Sequence, residues 1–551
     1  MVGVLCIIGI ILVGRLFQLQ VIQHGEWLAT ASSIQERTIE VAARRAAIYD
    51  RYGAPLAFDV KASAIAIDSF NMTKPETLTA ILHEELGEST ETLKDLIYRP
   101  SYFTCINRKV DLATAQAIKK RVQQETADGL IFIDTWKRCY PQGSLASNVI
   151  GFVGMDGEGL AGIEYAYDEV LSGSPAVLHV IRGADGRTYH TETIAEGEAG
   201  QDIYLTIDSR LQFACEEALD SGVVRYIANK GLFVLMDPQS GDVLAMAQDC
   251  RYDLNRFYES TAQERLNLAI GFIFEPGSSF KAFSGLAALD CGVVDVDDTF
   301  NGNDGVLVAG HTMHNAEFRS FGTVTFADII RNSINTGMVR VTERLGDENL
   351  YRFLVDAGFG RKTEVGLPGE EKGILRDVND WSRLALAATS IGQSVGVTGI
   401  QLARAMSVIA NGGLLLEPRI IQGFGQDGTA PREAEVLGRI ASAEGCETMR
   451  GLLRKVIESG TGTPVELEGY DIAGKTGTAQ KAIPGEGYVD GKYTSIFAGF
   501  FPVEKPEYLG VVVLDEVKTN PVWGGYTCGP IFKEAVTDLV TIEQLPPVAL
   551  K

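Results

Sequence analysis

The strongest constraint on the fold is where the strand-like segments fall. Residues 231–247, GLFVLMDPQSGDVLAMA, are two apolar runs around a Pro238–Gly241 turn; YTSIFAGFFPV and YLGVVVLDEV, residues 493–503 and 508–517, are two more, separated by the turn-prone EKPE. Between the two groups the chain is mainly helical, as in FKAFSGLAALDCG and TFADIIRNS, and a helical stretch, DSRLQFACEEALDSGVVRYI, precedes the first. The simplest architecture is one antiparallel sheet built from both ends of the domain, with a helical subdomain packed against it, an α+β arrangement.

At 551 residues and 45% hydrophobic composition the chain is too long for one core and too apolar for disorder, so two or three domains are expected. Residues 23–199 mix β-type runs such as ASAIAIDSF with helical ones such as LATAQAIKKRVQQE and gather no catalytic residue types, which reads as a scaffold. The acidic, glycine-containing segment Glu192 to Asp202 suits a linker, leaving 200–551 as the catalytic domain. Residues 1–22 read as a single transmembrane anchor: Val2 to Gly14 is uninterrupted and apolar, and Leu16 to Ile22 extends it towards the roughly 20 residues a bilayer helix needs. Arg15 can snorkel to the outer interface. A cleaved signal peptide is the alternative, with Ala29, Thr30 and Ala31 as its site, but QLQVIQHGEWL ahead of it is too long and polar.

A net charge of −23 argues against a polyanion partner, which would need clustered Lys and Arg, so no nucleic acid is expected. The eight cysteines contain no Cys-x-x-Cys, and His311 and His314 read as loop residues; neither a metal nor another cofactor is expected.

Three short elements carry chemistry. Ser278 and Lys281 in FEPGSSFKAFSG stand at i, i+3, on one helical face, with Pro276 suited to a helix start and Gly277 to close backbone approach. A serine hydroxyl needs a base to take its proton, and a lysine desolvated in an apolar helix can have its pKa lowered enough to serve. In RNSINTG, Ser333 and Asn335 flank Ile334 between two helical stretches, the first opened by Thr325 and Asp328 in capping-box spacing; an alcohol and an amide there could face a shared cleft. In DIAGKTGTAQ, Lys475, Thr476, Gly477 and Thr478 follow a short β-like run and suit a carboxylate site. Gly469 and Gly474 before Lys475 and Thr476 also satisfy P-loop spacing, but the strand-like YDIA and the poor helix start behind it do not suit a phosphate cradle.

Each element alone is commonplace; the three in this order resemble the signature of penicillin-binding proteins and serine β-lactamases. The resemblance to class B penicillin-binding proteins covers nearly the whole chain. RLFQLQVIQHGEW, RAAIYDRYGAPLA and YPQGSLASNVIGFVG look like that family's anchor and pedestal, and GQDIYLTID, GFGRKTEVGLPGE and GPIFKEAV like its catalytic part. EPGSSFK with a Ser-x-Asn second motif is similar to the division-septum and spore-septum branch. Two positions depart: Arg45-Ala46 stands where the family has Arg-Gly, and Ser394 where its glutamine is often followed by glycine.

The resemblance implies a penicillin-binding, β-lactamase-like transpeptidase domain, its antiparallel sheet flanked by helices, on an elongated pedestal of the penicillin-binding protein dimerisation type. It implies a peptidoglycan D,D-transpeptidase that cross-links stem peptides in septal wall synthesis and is trapped by β-lactams. Ser278 would be the nucleophile, Lys281 the base, Ser333 the proton relay, Asn335 the holder of the substrate backbone, and Lys475 with Thr476, Gly477 and Thr478 the carboxylate site. The backbone N–H groups of Ser278 and Thr478 would form the oxyanion hole. The catalytic domain would lie outside the cell membrane on a single-pass anchor, with glycan polymerised by a SEDS-family membrane glycosyltransferase among the division proteins. A D-alanyl-D-alanine carboxypeptidase, a β-lactam sensor and a non-catalytic septum protein are the competing expectations.

Overall fold

The computed structural model describes residues 2–27, 36–41, 43–182, 188–425, 434–483 and 487–547. The apolar N-terminus forms a helix over Val2–Phe17, 16 residues or about 24 Å long, followed by a π-helical turn over Gln18–Ile22. Gln18 and Gln20 break the apolar run at this change of helical form, and Arg15 Nη1 donates to Gln18 Oε1 at 2.8 Å. Among the described residues no helix is long and apolar enough to cross a membrane, so the expected span is not confirmed. The signal-like Ala29 to Ala31 lies outside the described residues.

The chain forms two compact units. The first comprises Met1–Ala46, Lys61–Trp136 and Glu169–Gln201. In it the later half of the strand Pro55–Ile67 pairs antiparallel with Thr104–Asp111, and the helices Pro75–Leu86, Thr90–Ile97 and Leu112–Gln124 bury Leu82, Leu93 and Ile118 with Ile65. Part of the segment expected to be a linker is strand instead: Glu192 to Ala195 belong to Thr188–Ala195, which pairs with Ala176–Arg182. Its exposed residues lack the large apolar alternation that betrays a strand in sequence.

The second unit comprises Ala47–Val60, Lys137–Asp168 and Asp202–Lys551, so the division is not a single cut near residue 199. Two stretches of the expected scaffold join it because their partners lie far along the chain: Ile48 pairs in parallel with Ile203, and the Tyr140 N–H donates to Asn255 Oδ1 at 3.0 Å. Ala46 has no positive φ, so the glycine expected there is not required by the backbone.

The expected shared sheet is present. Helix α1 (Ser209–Tyr226), capped by Asp208, leads into the hairpin β1 (Lys230–Met236) and β2 (Val243–Gln248). The helical region follows, with α2 (Lys281–Asp290), α3 (Phe326–Arg331), α4 (Asn335–Leu345), α5 (Gly399–Ala410) and α6 (Ala443–Ser459). The chain then returns as β3 (Ala473–Ile483), β4 (Gly487–Phe501) and β5 (Tyr508–Asp515), and ends in α7 (Cys528–Ile542). The sheet order is β2–β1–β5–β4–β3, all antiparallel, so β1 from one end of the domain pairs with β5 from the other and β3 is left at an edge.

Strands β1 and β5 are buried on both faces, which is why they read as continuous apolar runs. Helices α1 and α7 close a core containing Leu219, Phe233, Phe497, Val512, Phe532 and Val536, in which the Phe497 and Phe532 rings lie 5.0 Å apart. All residues of α5 are buried. Phe497→Ala should cost about 3–5 kcal/mol, read from chemical unfolding against wild type; a loss below about 1 kcal/mol would contradict this core.

Candidate active site

The Ser-x-x-Lys element does not begin as an α-helix. Pro276 caps a 3₁₀ turn over Gly277–Phe280, and Lys281 ends that turn and starts α2. With 3.0 residues per turn, positions i and i+3 eclipse, so Ser278 and Lys281 share one azimuth more closely than on an α-helix. Two neighbouring serines are told apart by their bonds. Ser279 is wholly buried and its Oγ donates to the Pro276 carbonyl at 2.7 Å, whereas Ser278 is half-buried and its Oγ has no partner among the described residues.

The turn is fixed from behind. Gly277 has φ +51°, its N–H donates to the Gly392 carbonyl at 3.0 Å, and a Cβ on it would lie 2.9 Å from the Thr478 carbonyl oxygen. Phe280, Phe283 and Phe359 form an aromatic trio with centroids 5.0–5.5 Å apart, burying α2 all round.

Ser333 falls between α3 and α4, as the spacing predicts, and the capping box of Thr325 and Asp328 is formed. Ser333 has φ +56°, a conformation that costs a non-glycine residue of order 1–2 kcal/mol. That cost turns its side chain and carbonyl toward the Lys281 amine: Lys281 Nζ lies 2.6 Å from Ser333 O, 3.2 Å from Ser333 Oγ and 2.6 Å from Asn335 Oδ1. The third element enters from β3, where Lys475 Nζ donates to Ser333 Oγ at 2.9 Å and to its neighbour's carbonyl, Thr476 O, at 3.2 Å.

Both amines are wholly buried, and none of these acceptors carries a charge. Burial, then the nearby Lys475, drives the Lys281 pKa well below the 10.5 of an ordinary lysine. Burial lowers that of Lys475 to about 7. The environment therefore favours a neutral amine, the form a base requires.

Alternation along β3 puts Lys475 and Gly477 on one face and Thr476 and Thr478 on the other. Gly477 faces the Gly277–Phe280 turn, where a Cβ would meet the Pro276 carbonyl oxygen at 2.7 Å. Thr476 Oγ1 instead bonds Thr461 Oγ1 at 2.7 Å, and Thr478 Oγ1 donates to Gly477 O at 2.8 Å and accepts from the Gly524 N–H at 3.1 Å. Lys281, Ser333, Asn335 and Lys475 thus form one bonded cluster; the two threonine hydroxyls border it with other partners.

Sequence reasoning missed Glu275, Tyr488 and Thr461. Glu275 Oε1 accepts from the Ser394 N–H at 2.9 Å, and both its oxygens lie 3.2 Å from Tyr488 Oη on β4; burial raises the pKa of each group. Ser394 has φ +61°, so this departure keeps a conformation in which glycine would be unstrained. His311, expected in a loop, lies in the strand His311–Met313; among the described residues no group of side chains could hold a metal ion, and all eight cysteines are free.

Residues 231–537 match the penicillin binding protein transpeptidase domain, and residues 40–205 the penicillin-binding protein dimerisation domain. The chain belongs to this family of peptidoglycan transpeptidases. It is 31% identical to a probable peptidoglycan D,D-transpeptidase, PbpC, of Pseudomonas aeruginosa over 97% of this chain and 93% of that one. It is 30% identical to stage V sporulation protein D of Bacillus subtilis, over 99% of this chain and 84% of the relative. The crystal structure of penicillin binding protein 3 from Mycobacterium tuberculosis complexed with ampicillin is similar with a TM-score of 0.72 and 27% identity, covering 93% of this chain and 98% of that one.

Gly477→Ala should slow acylation by penicillin at least about ten-fold, because the new methyl forces β3 away from the nucleophile turn. Labelling at the wild-type rate would contradict that close approach.

Proposed function

We infer that this chain is a D,D-transpeptidase that cross-links peptidoglycan stem peptides through an acyl-Ser278 intermediate. The observation that carries the reading is the bonded cluster of Lys281, Ser333, Asn335 and Lys475, with Ser333 Oγ between the two buried amines, one 3₁₀ turn from Ser278, whose hydroxyl has no partner among the described residues.

In the acylation step neutral Lys281 takes the Ser278 proton as Oγ bonds to the carbonyl between the two terminal D-alanines. The oxyanion that forms accepts from the Ser278 and Thr478 N–H groups, the former among the first N–H groups of its turn, which have no helical acceptor. Ser333 then relays the proton from Lys281 to the departing D-alanine amine, and the C–N bond breaks. Asn335 holds the substrate backbone. Lys475, which takes a proton from solvent as the carboxylate arrives, binds it with Thr476 and Thr478, the Thr478 hydroxyl turning away from the Gly477 carbonyl to do so. An amine of a second stem peptide attacks the ester, Lys281 again accepts a proton, and Ser278 is regenerated. A β-lactam carries the same carbonyl and carboxylate but its leaving amine stays tethered, so the ester persists.

The reading extends to septal wall synthesis, with the catalytic unit outside the cell membrane and glycan supplied by a SEDS-family glycosyltransferase. Its supports are the apolar Val2–Phe17 helix, the sporulation name of one relative and the need to meet a substrate outside the membrane.

Incubation with a fluorescent penicillin followed by peptide mass mapping should give one adduct, at Ser278, and none in Ser278→Ala. An adduct on Ser279, or equal labelling of the variant, would overturn the assignment. With stem-peptide substrates, cross-linked dimer is expected in excess of hydrolysed donor; hydrolysis alone would favour a carboxypeptidase.

A further inference from the structure

Asn335 is held at both ends. Its Oδ1 accepts from Lys281 Nζ at 2.6 Å, and its Nδ2 donates to the His314 carbonyl at 2.8 Å. An amide that offers its oxygen to the amine can do so only while its NH₂ has an acceptor elsewhere, so the His314 carbonyl decides which way the Asn335 side chain faces. The question becomes what holds that carbonyl.

The next residue answers it. Asn315 is 5% exposed, and its side chain makes four hydrogen bonds, close to the capacity of an amide. Oδ1 accepts from the Thr336 N–H at 3.0 Å and the Thr336 hydroxyl at 3.1 Å; Nδ2 donates to Gly302 O at 3.0 Å and Arg319 O at 2.8 Å. Its own N–H donates to Asp304 Oδ1 at 2.7 Å, and the other oxygen of Asp304 bonds His314 Nδ1 at 2.8 Å. Thr336 directly follows Asn335 on α4. One buried amide therefore ties the loop that carries the His314 carbonyl to the very turn of α4 that carries Asn335.

The same segment is seated by apolar contact. The hairpin Val306–Val308 and His311–Met313 ends one residue before His314, and it buries Val306 and Val308 against Val339 of α4. A polar knot and an apolar seat on one helix leave the His314 carbonyl no independent freedom.

We propose that Asn315 is a positioning residue for acyl transfer: it fixes the His314 carbonyl, which orients the Asn335 amide, which in turn orients the Lys281 amine. The proposal rests on acylation at Ser278. Asn315 touches neither substrate nor Ser278; it acts only through Asn335. A buried amide costs far more to remove than its bonds contribute. Losing Asn315 leaves the Thr336 N–H and the Arg319 carbonyl without the bonds they make here and the Gly302 carbonyl with only the Phe321 N–H, so the loop must rearrange to recover bonds, and a displacement of about 1 Å at a catalytic contact can cost a hundred-fold in rate.

The test compares wild type, Asn315→Ala, Asn335→Ala and the double variant in the full chain. Acylation by a fluorescent penicillin is measured per active site, the active fraction being titrated at long incubation, across a pH series. Asn315→Ala should slow acylation roughly ten- to hundred-fold per active site, and the double variant should be no slower than Asn335→Ala. Because Asn335 Oδ1 favours the charged amine, its loss or misorientation should move the acidic limb of the profile to lower pH in both single variants. Lys475 on β3 is the other charged group facing that amine and is unaltered in all four proteins.

Wild-type rates in Asn315→Ala, multiplicative effects, or a loss explained wholly by a smaller active fraction with an unmoved limb would each overturn the proposal. Should Asn315→Ala not fold, Thr336→Val, which deletes one of the bonds to Asn315, supplies the same readout: a slowed rate at full active fraction supports the proposal and an unchanged rate sinks it. A wild type that fails to label at Ser278 would instead sink the underlying function, so the two failures are distinguishable.

Discussion

Lys281 and Lys475 are both wholly buried, and both reach Ser333 Oγ, at 3.2 and 2.9 Å. Those two distances keep the amines no more than about 6 Å apart, a separation at which two unit charges repel by roughly 3 kcal/mol at an effective dielectric of 20. Desolvation adds to that penalty, and the hydrogen-bond partners of Lys281 Nζ among the described residues are all neutral oxygens. The site therefore holds at most one proton comfortably between the two amines. On the proposed reading this leaves Ser278 beside a neutral amine and lets Lys475 take up a proton from solvent when a carboxylate arrives, and acyl transfer needs both.

The rest of the catalytic unit keeps this arrangement closed. The sheet brings β3 to an edge where Gly477 passes against the turn that carries Ser278, and α2 is buried among aromatic rings, leaving the Lys281 side chain no exposure to solvent. Left-handed backbone conformations gather here: Gly277, Ser333 and Ser394 all have positive φ, which is unfavourable for the two serines. Each is over-determined by its neighbours: Gly277 by the Gly392 carbonyl, Ser333 by two lysines, Ser394 by Glu275.

Much of this was legible in the sequence for identifiable reasons. The two groups of strands announced themselves because β1, β2, β5 and the later half of β4 bury apolar residues continuously, and a helical start was foreshadowed by Pro276 and Gly277, though not its 3₁₀ form. Ser333 and Asn335 could be placed between helices because Thr325 and Asp328 mark a helix start. What stayed hidden depends on distant partners. Asn315 reads as one more loop asparagine until Thr336 and Gly302 are seen around it, and Glu275 gives no sign of meeting Tyr488, which lies 213 residues on. The orientation of the threonine hydroxyls was also hidden, since a motif names residue types without saying which face of an edge strand each occupies. Ala47–Val60 joined the second unit for a similar reason: the parallel pairing of Ile48 with Ile203 has no local signature.

The charge state of Lys281 is the claim on which the chemistry turns, and the pH dependence of wild-type acylation tests it most directly. The rate of covalent capture of a penicillin, measured per active site, should climb through an acidic limb whose midpoint lies well below 10.5, because burial and the second amine disfavour the ammonium form. A rate that keeps rising to a midpoint near 10.5, the value of a solvated lysine, would contradict the account.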